Sequence, residues 1–128
     1  MDADVNLISK DNAGVFWEFN KRRIHIPFEP DGTAIYSKKY KIIVVMNIKP
    51  GDYSLNMKAY DLNGELKASI LPYNKDELSY GYMSTSDRVD SGIVVVAGYK
   101  NRKDEFYDWQ FEVDLKEFKI SNCIDRAY

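Results

Sequence analysis

Residues Tyr40–Lys49 read "YKIIVVMNIK", and the centre of this stretch, Ile42–Met46, holds five apolar residues in succession. A strand that is covered on both faces reads as a continuous apolar run, because its inward and outward positions are both buried. We therefore predict a central β-strand here. The second run of the same kind, "IVVVAGY" at Ile93–Tyr99, predicts a second central strand.

The segments around these runs alternate apolar and polar residues, as strands with one buried face do. Tyr53–Ala59 alternates in this way, and Asn63-Gly64 then predicts a hairpin turn because both residues tolerate positive φ. At the N-terminal end, Val15–Phe28 predicts a hairpin with its turn at "NKRR". Signals for helix are weak, and we expect at most single turns at Asp31–Ser37 and Asn74–Leu78.

The chain repeats itself. Val45 and Val96 are 51 positions apart (96 − 45), and the Asp-Leu pairs that start at Asp61 and Asp114 are 53 apart (114 − 61). Each copy reads as a buried strand, a turn, an alternating strand, an Asp-Leu turn and a return strand, at a spacing typical of blade-like β repeats. Because Phe118 lies near the position of Gly64, we expect the two turns to differ in backbone conformation if positive φ is required there.

These patterns predict an all-β fold with little helix. We expect residues 1–128 to form a single β-domain in which antiparallel meanders make a sandwich or a partial-propeller-like arrangement, since two units cannot close a propeller. The N-terminal hairpin is expected to complete one of the two sheets.

Composition narrows the functional classes. The formal net charge is −2, no apolar run approaches the length of a membrane span, and the acidic N-terminus lacks the apolar region of a secretory signal. Cys123 is the single cysteine, so a reducing, cytoplasmic setting is the simplest interpretation. Basic residues concentrate in predicted turns, where they act as solubilising groups, and nucleic acid is an unlikely partner.

Residues for catalysis and cofactor binding are sparse. His25 is the only histidine and alternates outward between Ile24 and Ile26, which favours a structural role. Ligand clusters for a metal and glycine-rich phosphate loops are not found in the sequence. We predict neither an enzyme nor a cofactor site.

Acidic and aromatic residues occur together in "KDELSYGYM" and "KDEFYDW". Aromatic side chains serve as anchors in protein interfaces, and carboxylates steer the encounter with a basic partner. We predict a partner-binding face formed by Glu77, Tyr80, Tyr82, Asp104, Glu105, Tyr107 and Asp108. The competing interpretation is cross-strand aromatic packing with a solvated rim.

The segments "VVMN…YDLNGELKASI" and "IVVVAGY…YDWQFEVDLKEFKI" carry a family resemblance over roughly residues 40–120. They resemble a group of small bacterial all-β proteins that end in an aromatic-rich strand and an F-E-[VI]-D-L-x-x-G-K-I hairpin, with Phe118 here in place of the usual Gly. Proteins of this group often look like immunity partners of secreted or contact-dependent toxins. The motif marks a hairpin, so the resemblance carries over no functional residues.

The resemblance implies an immunity protein that blocks the active site of a cognate toxin, and we expect this toxin to be basic. Two alternatives stay open: a small-molecule or carbohydrate-binding β-module without catalysis, and a structural subunit of a larger assembly.

Overall fold

The computed structural model describes residues 8–9, 14–29, 31–49, 51, 54–73, 78–99 and 108–127, and the prediction of an all-β fold is confirmed. Its strands, in chain order, are β1 (Ile8–Ser9), β2 (Gly14–Phe19), β3 (Arg22–Pro27), β4 (Asp31–Ser37), β5 (Ile42–Ile48), β6 (Met57–Tyr60), β7 (Leu66–Ser69), β8 (Leu78–Thr85), β9 (Ile93–Tyr99), β10 (Asp108–Asp114) and β11 (Lys119–Ala127). Within the described ranges, no helix is long and apolar enough to cross a membrane.

Two four-stranded antiparallel meanders form the body of the fold. The first has the order β4-β5-β6-β7 and the second the order β11-β10-β9-β8. Their inner faces share one apolar cluster, to which β5 contributes Ile42, Val44 and Met46 and β9 contributes Ile93, Val95 and Ala97. The two predicted central strands are therefore confirmed as strands, and they face each other across this core.

The central strands are apolar on both faces, as their continuous runs predicted. Alternate residues of a strand point to opposite sides of the sheet. On β5 the outward residues Ile43 and Val45 belong to a second apolar cluster, whereas on β9 the outward residues Val94 and Val96 belong to neither cluster. The outer faces of the two meanders thus differ.

The N-terminal hairpin covers the outer face of the first meander. Strands β2 and β3 form a separate small sheet with β1, so the prediction that this hairpin would complete one of the meanders is wrong. Val15, Trp17 and Ile24 pack instead against Ile43 and Val45. The physical reason is that β5 leaves apolar side chains on its outer face, and only a second layer can bury them.

A buried hydrogen bond fastens this layer to the first meander. The indole Nε1–H of Trp17 donates to the carbonyl oxygen of Leu62 at 2.8 Å. Leu62 belongs to the Asp-Leu turn between β6 and β7, and its side chain lies in the same cluster as Trp17. The turn is therefore part of the contact between the two layers.

The two Asp-Leu turns face opposite sides of their sheets. Val44 pairs with Ala59, and Val95 pairs with Phe111, so equivalent sheet positions are 52 residues apart (111 − 59). The Asp-Leu pairs are 53 residues apart, one more than the spacing of 52 between equivalent positions of the strands that precede them. As a result the side chain of Leu62 joins the outer cluster, whereas that of Leu115 joins the core between the meanders.

Phe118 corrects another expectation. Its φ is +55°, close to the left-handed region that Gly64 occupies at +84°. Both turns therefore use a residue of positive φ, even though a side chain there costs about 1–2 kcal/mol. Phe118 packs against the core between the meanders, and this contact offsets the backbone strain.

Asp31–Ser37 is strand β4 along its whole length, so the single helical turn allowed there is wrong. Each residue from Asp31 to Ser37 is paired with a residue of β5, and this hairpin pairing overrides the local turn signal. Of the other candidate helical turn, residues 74–77 lie outside the described residues, and Leu78 begins β8.

Polar contacts connect the meanders along one side of the sandwich. The hydroxyl of buried Ser37 donates to the carbonyl oxygen of Ser91 at 2.6 Å. Beside it, the carboxylate of Asp90 accepts hydrogen bonds from the Lys39 ammonium and the Tyr40 hydroxyl. These contacts join the β4–β5 turn to the loop between β8 and β9.

The opposite side is closed by the backbone of Leu71. Its N–H donates to the carbonyl of Phe118 at 2.9 Å, and its carbonyl accepts from the N–H of Ile120 at 2.8 Å. The chain that leaves β7 therefore makes a short parallel bridge to β11.

Replacing Trp17 by Phe is expected to lower the free energy of unfolding by about 2 kcal/mol, because it removes buried volume and leaves the Leu62 carbonyl without this donor. Urea denaturation followed by circular dichroism measures the change. Trp109→Phe is the matched control, since Trp109 is only partly buried, and it should cost less. Equal losses in the two variants would contradict the role given to the Trp17 hydrogen bond.

The Tyr40 hydroxyl is expected to lose its proton at a higher pH than an ordinary tyrosine. Its hydrogen bond to Asp90 raises the pKa of its hydroxyl from the ordinary 10.0 to about 12. The stabilisation from this contact is therefore present below pH 10.0 and is lost as the pH rises towards 12. In an ultraviolet titration, Asp90→Asn should return one tyrosine towards its ordinary pKa.

Asp87→Asn, in the same loop, is the control for this titration and should leave the tyrosine profile unchanged. The assignment fails if the profile of Asp90→Asn overlays that of the unaltered protein.

Candidate protein-binding face

The outer face of the second meander, which we call the acidic face, carries ordered rows of side chains. Strand register places Tyr82, Val96, Gln110 and Asp125 in one row across the four strands. The next row contains Ser84, Val94 and Glu112. Polar side chains on β8, β10 and β11 thus flank the apolar residues of β9.

Among the described residues of this face, carboxylates outnumber basic side chains. Asp108 and Glu112 alternate on β10 with the inward residues Trp109, Phe111 and Val113, and Asp125 on β11 is paired with Gln110. Asp108 and Asp125 are exposed, and Glu112 is half-buried and accepts a hydrogen bond from the Ser121 hydroxyl at 3.2 Å. Three acidic groups on one sheet face favour contact with a positively charged surface.

One arginine lies among these carboxylates. Nη1 of Arg88, in the loop between β8 and β9, is 3.0 Å from a carboxylate oxygen of Asp125. Strand β11 is two strands away from β9, about 10 Å at the usual strand spacing. Arg88 thus links the β8–β9 loop to a residue on the outer face of β11.

A β-bulge separates the two tyrosines of β8. Tyr80 is paired with Ala97 but Tyr82 with Val96, so Gly81 is an extra residue and the alternation of β8 shifts by one. Tyr80 points into the core and is 6% exposed, whereas Tyr82 points outward and is 50% exposed. The expectation that both tyrosines belong to one exposed face is wrong for Tyr80.

Tyr80 has a structural role. Its hydroxyl oxygen accepts a hydrogen bond from the backbone N–H of Tyr73 at 2.9 Å. Burial raises the pKa of this hydroxyl, and the bond to the Tyr73 backbone opposes the shift. The side chain thus holds the segment after Leu71 against the core.

The structure locates only part of the predicted partner-binding set. Tyr82 and Asp108 lie on the acidic face, while Glu77, Asp104, Glu105 and Tyr107 lie outside the described residues. The sequence-based set did not include Glu112, Asp125 and Arg88. Glu112 shares the alternation of Asp108 along β10, which is a signal that the sequence contains, but the approach of Arg88 to Asp125 joins positions 37 residues apart.

His25 faces outward, as its alternation predicted. Its ring stacks on that of Phe16, with centroids 4.2 Å apart and planes 7° from parallel, and the Arg23 guanidinium lies 4.7 Å from the Phe16 centroid. Phe16 and His25 are direct cross-strand partners in the hairpin. These contacts stabilise the hairpin surface, which is the structural role expected for His25.

Asp90 and Cys123 are the described residues whose surroundings bear most directly on metal and thiol chemistry. No group of three or more His, Cys, Asp or Glu residues in the described ranges is arranged to hold a metal ion. The carboxylate of Asp90 is engaged by Lys39 and Tyr40. Cys123 is exposed on β11, and burial together with the charge of Asp125 raises the pKa of its thiol, so the less nucleophilic protonated form is favoured.

A groove of about 520 Å³ lies beside the bridge between Leu71 and β11. It is lined by Leu71, Pro72, Tyr73, Lys119, Ile120, Ser121 and Asn122. Leu71 is among the most exposed large apolar residues of the described chain. The groove lies at an edge of the sandwich, where Ile120 and Tyr73 connect it to the core.

Comparisons of the chain with protein-family models, with curated proteins and with solved structures found no match.

Tyr80→Phe is expected to lower the free energy of unfolding by about 1–2 kcal/mol, because the half-buried N–H of Tyr73 loses its acceptor. Hydrogen exchange at the Tyr73 amide should accelerate with it. Tyr82→Phe removes the same hydroxyl from an exposed position and should change neither quantity. If the Tyr73 amide exchanges at the same rate in Tyr80→Phe as in the unaltered chain, the hydrogen bond has no stabilising role.

Proposed function

We propose that this chain is an immunity-type protein that binds a cognate bacterial toxin in the cytoplasm and neutralises it by covering the toxin's active site. The observation that carries the proposal is the difference between the two outer sheet faces. The hairpin covers the first, whereas the described part of the second presents Tyr82 and three carboxylates. The acidic face is the surface that we assign to the toxin.

Charge supports a basic partner. Asp108, Glu112 and Asp125 act together over a sheet face about 15 Å wide, estimated from four strands at the usual spacing. Carboxylates grouped in this way raise the rate of encounter with a cationic protein, and the gain falls with ionic strength. Toxins that act on nucleic acids are often basic, which fits this arrangement.

Tyr82 supplies an apolar anchor within this charged setting. Half of its surface is exposed, and its row contains Val96 and Gln110. Tyr82 lies on β8, the edge strand of this meander. Exposed tyrosines are among the residues that dominate binding energy in protein interfaces. The acidic face therefore combines steering charge with an anchor.

Co-expression with the neighbouring open reading frame tests the proposal. We expect the neighbour to arrest growth when it is expressed alone, and this chain to restore growth and to purify with it as a one-to-one complex. If the neighbour is harmless alone, or if this chain does not bind it, the proposal is wrong.

A small-molecule or carbohydrate-binding module is the second candidate. The observation that favours it is the groove beside Leu71, whose volume lies within the usual range for ligand sites of about 300–1,000 Å³. Chemical-shift changes at Tyr73 and Asn122 during titration with a glycan library would favour this candidate. Changes confined to the acidic face on addition of the toxin would favour the first.

Tyr82→Ala is expected to weaken the complex with the toxin by about 30-fold, the effect of losing a contact worth about 2 kcal/mol. Leu66→Ala is the matched control, because Leu66 is 55% exposed and lies on the first meander. Isothermal titration calorimetry measures both affinities. A loss of similar size in the two variants would remove the acidic face from the interface.

A further inference from the structure

The ion pair between Arg88 and Asp125 joins two exposed side chains. Each is 55% exposed, and the pair is formed by a single contact of 3.0 Å. Exposed pairs of this kind add little to stability, because water solvates both charges almost as well when they are apart. Stability of the free protein alone therefore gives little reason for an arginine to extend across the sheet.

The position of Arg88 relative to Val94 and Val96 suggests what the pair does. These two valines point to the acidic face and belong to neither apolar cluster, yet they are only 1% and 3% exposed. Arg88 lies in the loop at the end of β9 that carries Val94, and Asp125 lies in the row of Val96. The aliphatic part of an arginine can cover apolar surface while its guanidinium stays in water.

We propose that Asp125, together with the Val94–Val96 stripe, is an arginine-binding site that Arg88 fills in the free protein and that an arginine of a basic protein partner takes over on binding. This inference rests on the proposed function and names the chemistry by which the partner is held. Arg88 acts as an internal substitute for the partner's side chain.

Charge complementarity favours this occupant. Glu112 and Asp108 lie on the same face as Asp125, so the site keeps carboxylates on β10 and β11 when Arg88 leaves. A guanidinium has a planar fork of donors that can bind a carboxylate through two hydrogen bonds, whereas an ammonium acts as a point charge. The site should therefore prefer arginine to lysine.

The exchange is energetically easy in the free protein. The resident pair is exposed and weak, so an incoming arginine loses little by displacing it. Within a complex the new pair is shielded from water and the valines contact the partner, which strengthens both interactions. Arg88 therefore lowers the affinity for loosely matched cations without preventing a specific partner from binding.

Titration of the full chain with a hexa-arginine peptide tests the inference, with binding followed by ¹⁵N–¹H correlation spectra at low salt. Arg88→Ala should lower the Kd by about two- to five-fold, the range expected from removal of an exposed competing pair. Lys67→Ala is the charge-matched control, because it removes one exposed positive charge from β7. It should change the Kd less, and hexa-lysine should bind more weakly than hexa-arginine.

Asp125→Asn separates a specific exchange from a general effect of charge. In the Asp125→Asn background, Arg88→Ala should no longer tighten binding, and shifts at Val94 and Val96 should be small. The inference is overturned if Arg88→Ala has no effect, or if it tightens binding equally with and without Asp125.

The same spectra show whether only the arginine exchange is wrong or whether the proposed function is wrong as well. If Glu112→Gln weakens binding while Arg88→Ala does not alter it, the acidic face binds cations without an exchange of arginines, and only the inference fails. If the toxin complex forms normally in variants of Tyr82, Glu112 and Asp125, the acidic face is not the interface, and both fail.

Discussion

The fold depends on the packing of two central strands against each other through their inner residues. Val44 of β5 and Val95 of β9 are almost inaccessible to solvent and belong to the same core. Each strand also carries apolar side chains on its outer side, and this packing does not bury them. Much of the remaining architecture serves to cover these outer side chains.

The two meanders meet this requirement differently. The outer face of β5 receives a complete second layer, fastened by the bond from Trp17 to the Leu62 carbonyl. The one-residue difference in the phase of the Asp-Leu turns contributes to this asymmetry, because it directs Leu62 outward and Leu115 inward. On β9 the outward valines are instead flanked by polar side chains, and Arg88 pairs with Asp125 on the same face.

This asymmetry is the structural basis for the proposed function. The outer face of the second meander has apolar residues at its centre and carries carboxylates, a tyrosine and an exposed ion pair around them. Breaking such an exposed ion pair costs little free energy, so this face can contact a partner easily. The bulge at Gly81 contributes directly, since it turns Tyr82 outward while Tyr80 remains in the core. The same local irregularity thus separates a structural tyrosine from one available for binding.

The amino-acid sequence by itself determined the strand class, the two central strands and the outward position of His25. These properties follow from local alternation and from continuous apolar runs, which depend only on neighbouring residues. Tertiary structure decided where the hairpin packs and that Phe118 adopts positive φ, because both depend on partners distant in the chain. That Asp31–Ser37 is a strand depends on its pairing with β5, which the local turn signal does not show. Tertiary structure also decided which residues lie on the acidic face. A one-residue bulge reverses the direction of every later side chain in β8. Arg88 and Asp125 come together only when the sheet has formed.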